Sequence, residues 1–395
     1  MKRLLEALVL ALLVIYPTGV FLRIRLFDNA QLVPQDIVVF LISILTYALL
    51  YRKGKLFSGN NFFKFQVIFI AIGLVSLAVN AFFYSDINIA VAMLYAFRYF
   101  TYLSLVRLGE LITNFSKVRI GMFLSGGAFL IIGLIQFVEF NNLKGLFYLG
   151  WDDHLYRLFS SFLDPNFSGV FYALFFLLLI PFIVKNKFSK AYLPIIVSAG
   201  SILALFLTYS RTALLAILTS IVTLCILTKK VKILIIGFVG FLALLIIVSD
   251  TSVEGLNPLR TASTSRRLES LKEVTYIISK QPFMGVGFNA FRDSQVRYQT
   301  RFESGVVLSN ADGTTDNSFL FALATTGVFG FTFYVISYVL LIKDYYRKKS
   351  LNNYVFISLM VGLIVGSFFL NILFFTPLLT FLMLTIAALG VREYK

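Results

Sequence analysis

Of the 395 residues in the chain, 59% are hydrophobic and only 14% charged, against roughly 25% charged in a soluble domain. Even large soluble domains leave part of their chain facing water, so this composition excludes a water-soluble fold. The net charge of +16 reads as a topology signal plus attraction to anionic lipid, with no nucleic acid needed to account for it.

Apolar runs of about 17 to 25 residues, each able to cross a hydrocarbon core of about 30 Å, recur along the chain. They predict spans at Leu4–Leu22, Val33–Tyr51, Phe65–Tyr84, Asn88–Val106, Ile120–Val138 and Phe167–Val184. The series continues at Tyr192–Thr208, Thr212–Thr228, Val231–Val248, Asn317–Ile342, Tyr354–Leu370 and Phe374–Val391. Lys2 and Arg3 precede the first run as they would a signal peptide. That run exceeds the about 7–15 residues of a signal h-region and no A-x-A site follows, so it is read as a retained span. The expected fold is all-α: one integral membrane domain over residues 1–395, a polytopic helix bundle of about 12 transmembrane helices.

Alternate span ends carry Lys2 and Arg3, then Arg52, Lys53 and Lys55, then Arg107, Lys117 and Arg119, then Lys185, Lys187 and Lys190. The same set continues with Lys229, Lys230 and Lys232, then Lys343, Arg347, Lys348 and Lys349, and finally Arg392 and Lys395. Cytoplasmic loops hold the excess of Lys and Arg, so both termini are expected in the cytoplasm. The non-cytoplasmic face then owns two long loops, residues 139–166 and 250–316. Loops of that length usually carry function. Within the second, Leu268, Leu271, Val274 and Ile278 recur at helical spacing across Arg267–Lys280, which predicts an amphipathic helix lying on the outer membrane surface or over a cavity. Pro282, Gly285 and Gly287 then predict a turn that returns the chain at Phe288 to the bundle.

Arginine is the residue type to follow, because a charge at membrane depth costs about 2.5 to 3.5 kcal/mol on insertion scales. Arg98 falls mid-span, Arg211 at the junction of the seventh and eighth spans, Arg157 in the first long loop, and Arg266 and Arg267 in the second. Two readings are open for each. Arg211 can snorkel to headgroups, Arg266 and Arg267 can be solvated, and Arg98 can pair with a buried acid or with helix carbonyls. Taken together they point to a pocket for a phosphate-bearing substrate, since guanidinium matches phosphate geometry. The lone Cys225 excludes an intrachain disulfide and a multi-thiolate metal site. With His154 the single histidine and no carboxylates clustered at ligand spacing, no protein-bound metal and no cofactor is expected.

Three stretches resemble the O-antigen ligase and polymerase superfamily. The first is Arg157 with Asp164-Pro165-Asn166, and the second is Ser210-Arg211 at a helix junction. The third runs from Arg267 through Pro282-x-x-Gly285-x-Gly287 to Asp316-Asn317-x-x-Leu320 and Gly327-x-x-Gly330. Together they cover the stretch from about residue 150 to 335; the first half of the chain matches in hydropathy alone. Where ligases of this superfamily carry a histidine, this chain has Asp316. An aspartate there can be a general base toward a sugar hydroxyl or simply the cap of the following helix.

The resemblance implies glycosyl transfer, without a metal, on undecaprenyl-diphosphate-linked oligosaccharide at the outer face of the bacterial cytoplasmic membrane. It gives Arg211 and Arg267 as a diphosphate clamp, Asp316 or His154 as the group that orients or deprotonates the acceptor hydroxyl, and Arg98 as a liner of the lower cavity. Arg157, Asp164, Asn166, Arg266 and Asn317 are expected to line the substrate site. Phe147, Tyr148, Trp151 and Tyr156 are expected either to stack on sugars or to form an interfacial aromatic belt. Expected partners are the lipid-linked substrate, membrane lipid, and flippase and chain-length regulator proteins. The missing histidine favours a repeat-unit polymerase of capsular, exopolysaccharide or O-antigen type over a ligase. A lipid-linked-oligosaccharide transporter or flippase stays open as a reading of a different class, although no paired repeat is evident.

Overall fold

The structure is a computed structural model, and residues 1–27, 30–85, 87–185, 188–230, 262–300 and 313–390 are described. In chain order these form α1 (Lys2–Ile15), the strands β1 (Ile24–Phe27) and β2 (Ala30–Leu32), α2 (Pro34–Arg52), α3 (Asn61–Phe83), α4 (Ile89–Ser104) and α5 (Ser116–Glu139). There follow α6 (Pro165–Lys185), α7 (Phe188–Leu207), α8 (Arg211–Thr228), α9 (Ala262–Lys280), α10 (Phe291–Arg297), α11 (Ser318–Tyr346), α12 (Leu351–Gly366) and α13 (Thr376–Gly390). The strands form a short antiparallel ribbon pairing Ile24 with Leu32 and Arg25 with Gln31.

The protein is an all-α membrane helix bundle. Among the described residues, seven helical segments are long and apolar enough to cross a membrane: Pro34–Arg52, Asn61–Phe83, Ile89–Glu110, Ser116–Glu139, Pro165–Lys185, Arg211–Thr228 and Ser318–Tyr346. Shorter apolar helices cover Ala191–Leu207, Leu351–Gly366 and Thr376–Gly390. The predicted ninth span, Val231–Val248, lies outside the described residues. The first predicted span is shorter than its apolar run. Its helix stops at Ile15 and becomes a 3-10 turn over Tyr16–Thr18, because Pro17 cannot donate to the ladder and Gly19 turns back with φ of 56°.

Helix α3 shows why lipid is the solvent. Its buried face mixes Phe62, Phe69 and Leu77 with Gln66, Ser76 and Asn80, while Ile68, Val75, Val79 and Phe82 point outward. A soluble helix would turn charged and polar residues outward instead. Helix α5 repeats the pattern, with Leu124, Ile131, Ile135 and Val138 outward and Gln136 buried.

The chain packs as two compact units, one of Met1–Met122, Arg267–Leu341 and Leu373–Lys395 and one of Phe123–Arg266 and Ile342–Ile372. In the first unit a broken helix organises the core. Gly327 interrupts α11 with φ 63° and ψ −173°, which opens the helical ladder inside an apolar span. Segment 282–288 closes the gap: the N–H groups of Val286 and Gly287 donate to the carbonyls of Ala324 and Thr325, and Val328 N–H donates to Pro282 O. Helix α3 completes the joint, as Ser76 Oγ and Asn80 Nδ2 donate to Gly285 O and Phe288 N–H donates to Gly73 O. A Cβ at Gly285 would meet the backbone of Thr325–Gly327, and one at Gly327 would run into Phe283 O. The glycines are therefore a condition of this backbone approach.

The amphipathic helix exists as α9, and Val274 and Ile277 on it pack with Val286, Phe291, Phe321 and Ala324. Leu268 and Leu271, nearer its start, are 53% and 45% exposed. One expectation, the cap of the next long helix, is corrected here. The cap of α11 is Asn317, whose Oδ1 accepts from the N–H groups of Phe319 and Leu320. Asp316 lies one residue further out.

Substituting Gly327→Ala combines a disfavoured φ with a backbone clash, so it is expected to cost at least about 2 kcal/mol. Gly127→Ala on α5, where an added Cβ meets nothing within 4 Å, should be neutral or stabilising. Thermal unfolding midpoints of the two variants in detergent check the contrast.

Candidate functional site

The second unit brings together residues that are far apart in sequence. The first long loop folds as two 3-10 turns, Lys144–Leu149 and Ser160–Phe162, in place of an α-helix. Its return leg docks on the α7–α8 junction through Leu158 N–H to Leu207 O at 2.9 Å. The Arg157 side chain is buried there, with Nε donating to Thr208 O at 2.9 Å and Nη2 to Asn166 Oδ1 at 3.3 Å. Asp164 caps α6, its Oδ1 accepting from the N–H groups of Asn166 and Phe167. Ser210 caps α8 by accepting from Ala213 N–H, which makes Arg211 the first residue of that helix. Gly169 permits the approach, since a Cβ on it would press on Thr208 Oγ1 and the Cβ atoms of Ser210 and Ala213.

The start of α6, the start of α8, Arg157 and Arg211 therefore belong to one junction. Both helix N-termini present partial positive charge. The Asp164 carboxylate offsets that of α6, whereas the Ser210 hydroxyl satisfies an amide of α8 without adding negative charge. The backbone around this junction is also strained. His154, Tyr156, Ser160, Leu163 and Tyr209 all hold positive φ, between 46° and 55°. Such conformations cost of order 1–3 kcal/mol each and cluster at functional sites. Half-buried His154 sits in the same turn, its carbonyl accepting from Arg157 N–H at 3.4 Å. Trp151 is half-buried and Tyr156 exposed. Arg266 reaches Asp152 at 3.8 Å across solvent, both side chains being at least half exposed, an ion pair worth at most about 1 kcal/mol.

The first unit holds the remaining candidates. Arg267 is half-buried on α9, and Asp316 and Asn317 are half-buried at the entry to α11. Arg98 is committed to the framework: Nε donates to Asp36 Oδ1 at 2.8 Å and Nη2 to Thr376 Oγ1 at 3.1 Å. Asp36 also accepts from Tyr102 OH and Val33 N–H. Buried Arg107 is held in the same manner, by Glu110, Ser58 and the carbonyls of Lys55 and Leu56. The proposed clamp pair is thus divided, with Arg211 in the second unit and Arg267 in the first.

Residues 195–335 match the family described as O-Antigen ligase. The match supports the O-antigen ligase and polymerase superfamily. The matched superfamily segment includes Ser210-Arg211, Arg267, the Pro282–Gly287 turn, Asp316-Asn317 and the Gly327 break, and the Arg157–Asn166 stretch precedes it. That match points to a glycosyltransferase-like membrane enzyme of O-antigen pathways. No curated protein matches the chain.

Sequence reasoning missed Asp36, Gln136 and Gly169. A carboxylate and an amide inside apolar runs were the available signals for the first two, because polar groups at membrane depth persist only with partners. The Arg98–Asp36 pair yields a double-variant test. Asp36→Asn or Arg98→Met alone should destabilise by about 3–5 kcal/mol by leaving one charge unpaired, and the double variant should recover much of the loss. That recovery, read as the thermal unfolding midpoint in detergent, would show that the pair serves the framework; no recovery in the double variant would refute it.

Proposed function

We propose that the chain is a membrane glycosyltransferase that polymerises undecaprenyl-diphosphate-linked oligosaccharide repeat units at the outer face of the bacterial cytoplasmic membrane, with both termini in the cytoplasm. The observation that carries this reading is the junction where Arg157, Asn166, the α8 N-terminus and Arg211 meet. As the glycosidic bond to the lipid diphosphate breaks, negative charge accumulates on the leaving group. Fixed guanidinium groups and helix-end amides stabilise that charge with no reorganisation at the moment of reaction. Arg157 and Arg211 are assigned to the diphosphate; the sequence motif is the sole ground for adding Arg267. Asp316 is assigned to the acceptor hydroxyl as general base, and His154 is the alternative for that role.

Ligation is the second reading, because the matched family is described as O-Antigen ligase. Asp316 in place of the ligase histidine favours polymerisation. Purified protein incubated with a synthetic lipid-linked repeat unit should give a ladder of chain lengths, and absence of elongation until another acceptor is supplied would favour ligation. Movement of substrate across liposomes with no glycosidic bond made would favour transport. Arg211→Ala and Arg267→Ala, at normal expression, should each lower polymer output by at least about a hundredfold; full-length polymer from both variants would refute the arginine assignment.

A further inference from the structure

We infer that Gln136 is the positioning residue of the arginine-bearing turn. Gln136 lies near the end of α5, 8% exposed, and its amide reaches the turn from both sides. Its Oε1 accepts from the N–H groups of Phe159 at 2.8 Å and Ser160 at 3.0 Å, while its Nε2 donates to Phe140 O at 2.7 Å and to Arg157 O at 3.4 Å. One neutral side chain thereby holds the Arg157 carbonyl and the two amides that follow Leu158. It does so where the chain is least able to hold itself, since Ser160 stands at φ of 48° and Leu163 at φ of 55°. Ser160 Oγ and Ser168 Oγ add bonds to Phe129 O and Phe159 O, but Gln136 alone among these groups bonds the peptide of Arg157 itself. It acts on substrate through Arg157, by keeping the guanidinium aimed at the Thr208–Asn166 junction.

The inference rests on the reading of that junction as a diphosphate site, and the test separates the two. Full-length protein in nanodiscs is titrated with farnesyl diphosphate, a short prenyl diphosphate, and the thermal midpoint of each variant is recorded alongside. Arg157→Ala should weaken binding strongly; unchanged binding in that variant, or none in the unsubstituted protein, would overturn the site reading itself. Gln136→Ala should weaken binding at least about tenfold, and should add little further loss in the Arg157→Ala background, because a positioning residue has no effect once the group it positions is gone. Wild-type affinity in Gln136→Ala, or equal losses in both backgrounds, would overturn the inference while leaving the site intact. Where Gln136→Ala fails to fold, Gln136→Asn decides. It keeps a neutral amide but is one methylene too short to hold all four bonds, so it should bind several-fold more weakly with no change of charge; unchanged affinity in that variant would overturn the inference equally.

Discussion

A backbone amide stripped of its partner inside hydrocarbon costs several kcal/mol, so a membrane-spanning chain can break a helix only where another segment supplies the missing bonds. The Gly327 break in α11 obeys this constraint, and much of the first unit is arranged around it. Segment 282–288 reads the opened ladder as a strand would, and α3 contributes Gly73, Ser76 and Asn80 to the other side of the same joint. The Pro-x-x-Gly-x-Gly and Gly-x-x-Gly stretches are therefore a matched pair of packing surfaces. Their role is to set where α9 ends and where α11 begins, and so where Arg267 and Asp316 stand.

The second unit meets a related problem with different means. A loop that must present a charged side chain near a membrane interface cannot rely on water to satisfy its peptides, and this one is wrapped by side chains and carbonyls from α5, α6 and α7. Strain at Ser160, Leu163 and Tyr209 persists because those surroundings over-determine it. Rigidity of this kind has a chemical use. An electrostatic site gains over water to the extent that its dipoles and charges need not move when the leaving group becomes charged.

Hydropathy made the architecture legible because the dominant cost, apolar surface in water, depends on composition and run length. The Ser210-Arg211 break, the α9 helix and the turn at Pro282–Gly287 were likewise visible, each through a local signal of capping, period or glycine. What stayed hidden depended on tertiary neighbours. Whether Asp316 or Asn317 caps α11 is decided by one residue of helix start, and the partner of Arg98 is an aspartate sixty-two positions away. Gln136 looked like an isolated polar residue in an apolar run, and only the fold of the loop above it gives its amide four neighbours to bond.

That an amide, and not a carboxylate, holds the Arg157 turn has an electrostatic logic. Arg98 and Arg107 bond to Asp36 and Glu110, so each cation arrives with a counter-charge and the pair can be buried as a framework. Gln136 supplies acceptor and donor together while adding no charge, and the Thr208 carbonyl and Asn166 amide oxygen orient the guanidinium in the same neutral fashion. A carboxylate at position 136 would satisfy the same two amides, but it would lower the positive potential that draws a diphosphate to the junction.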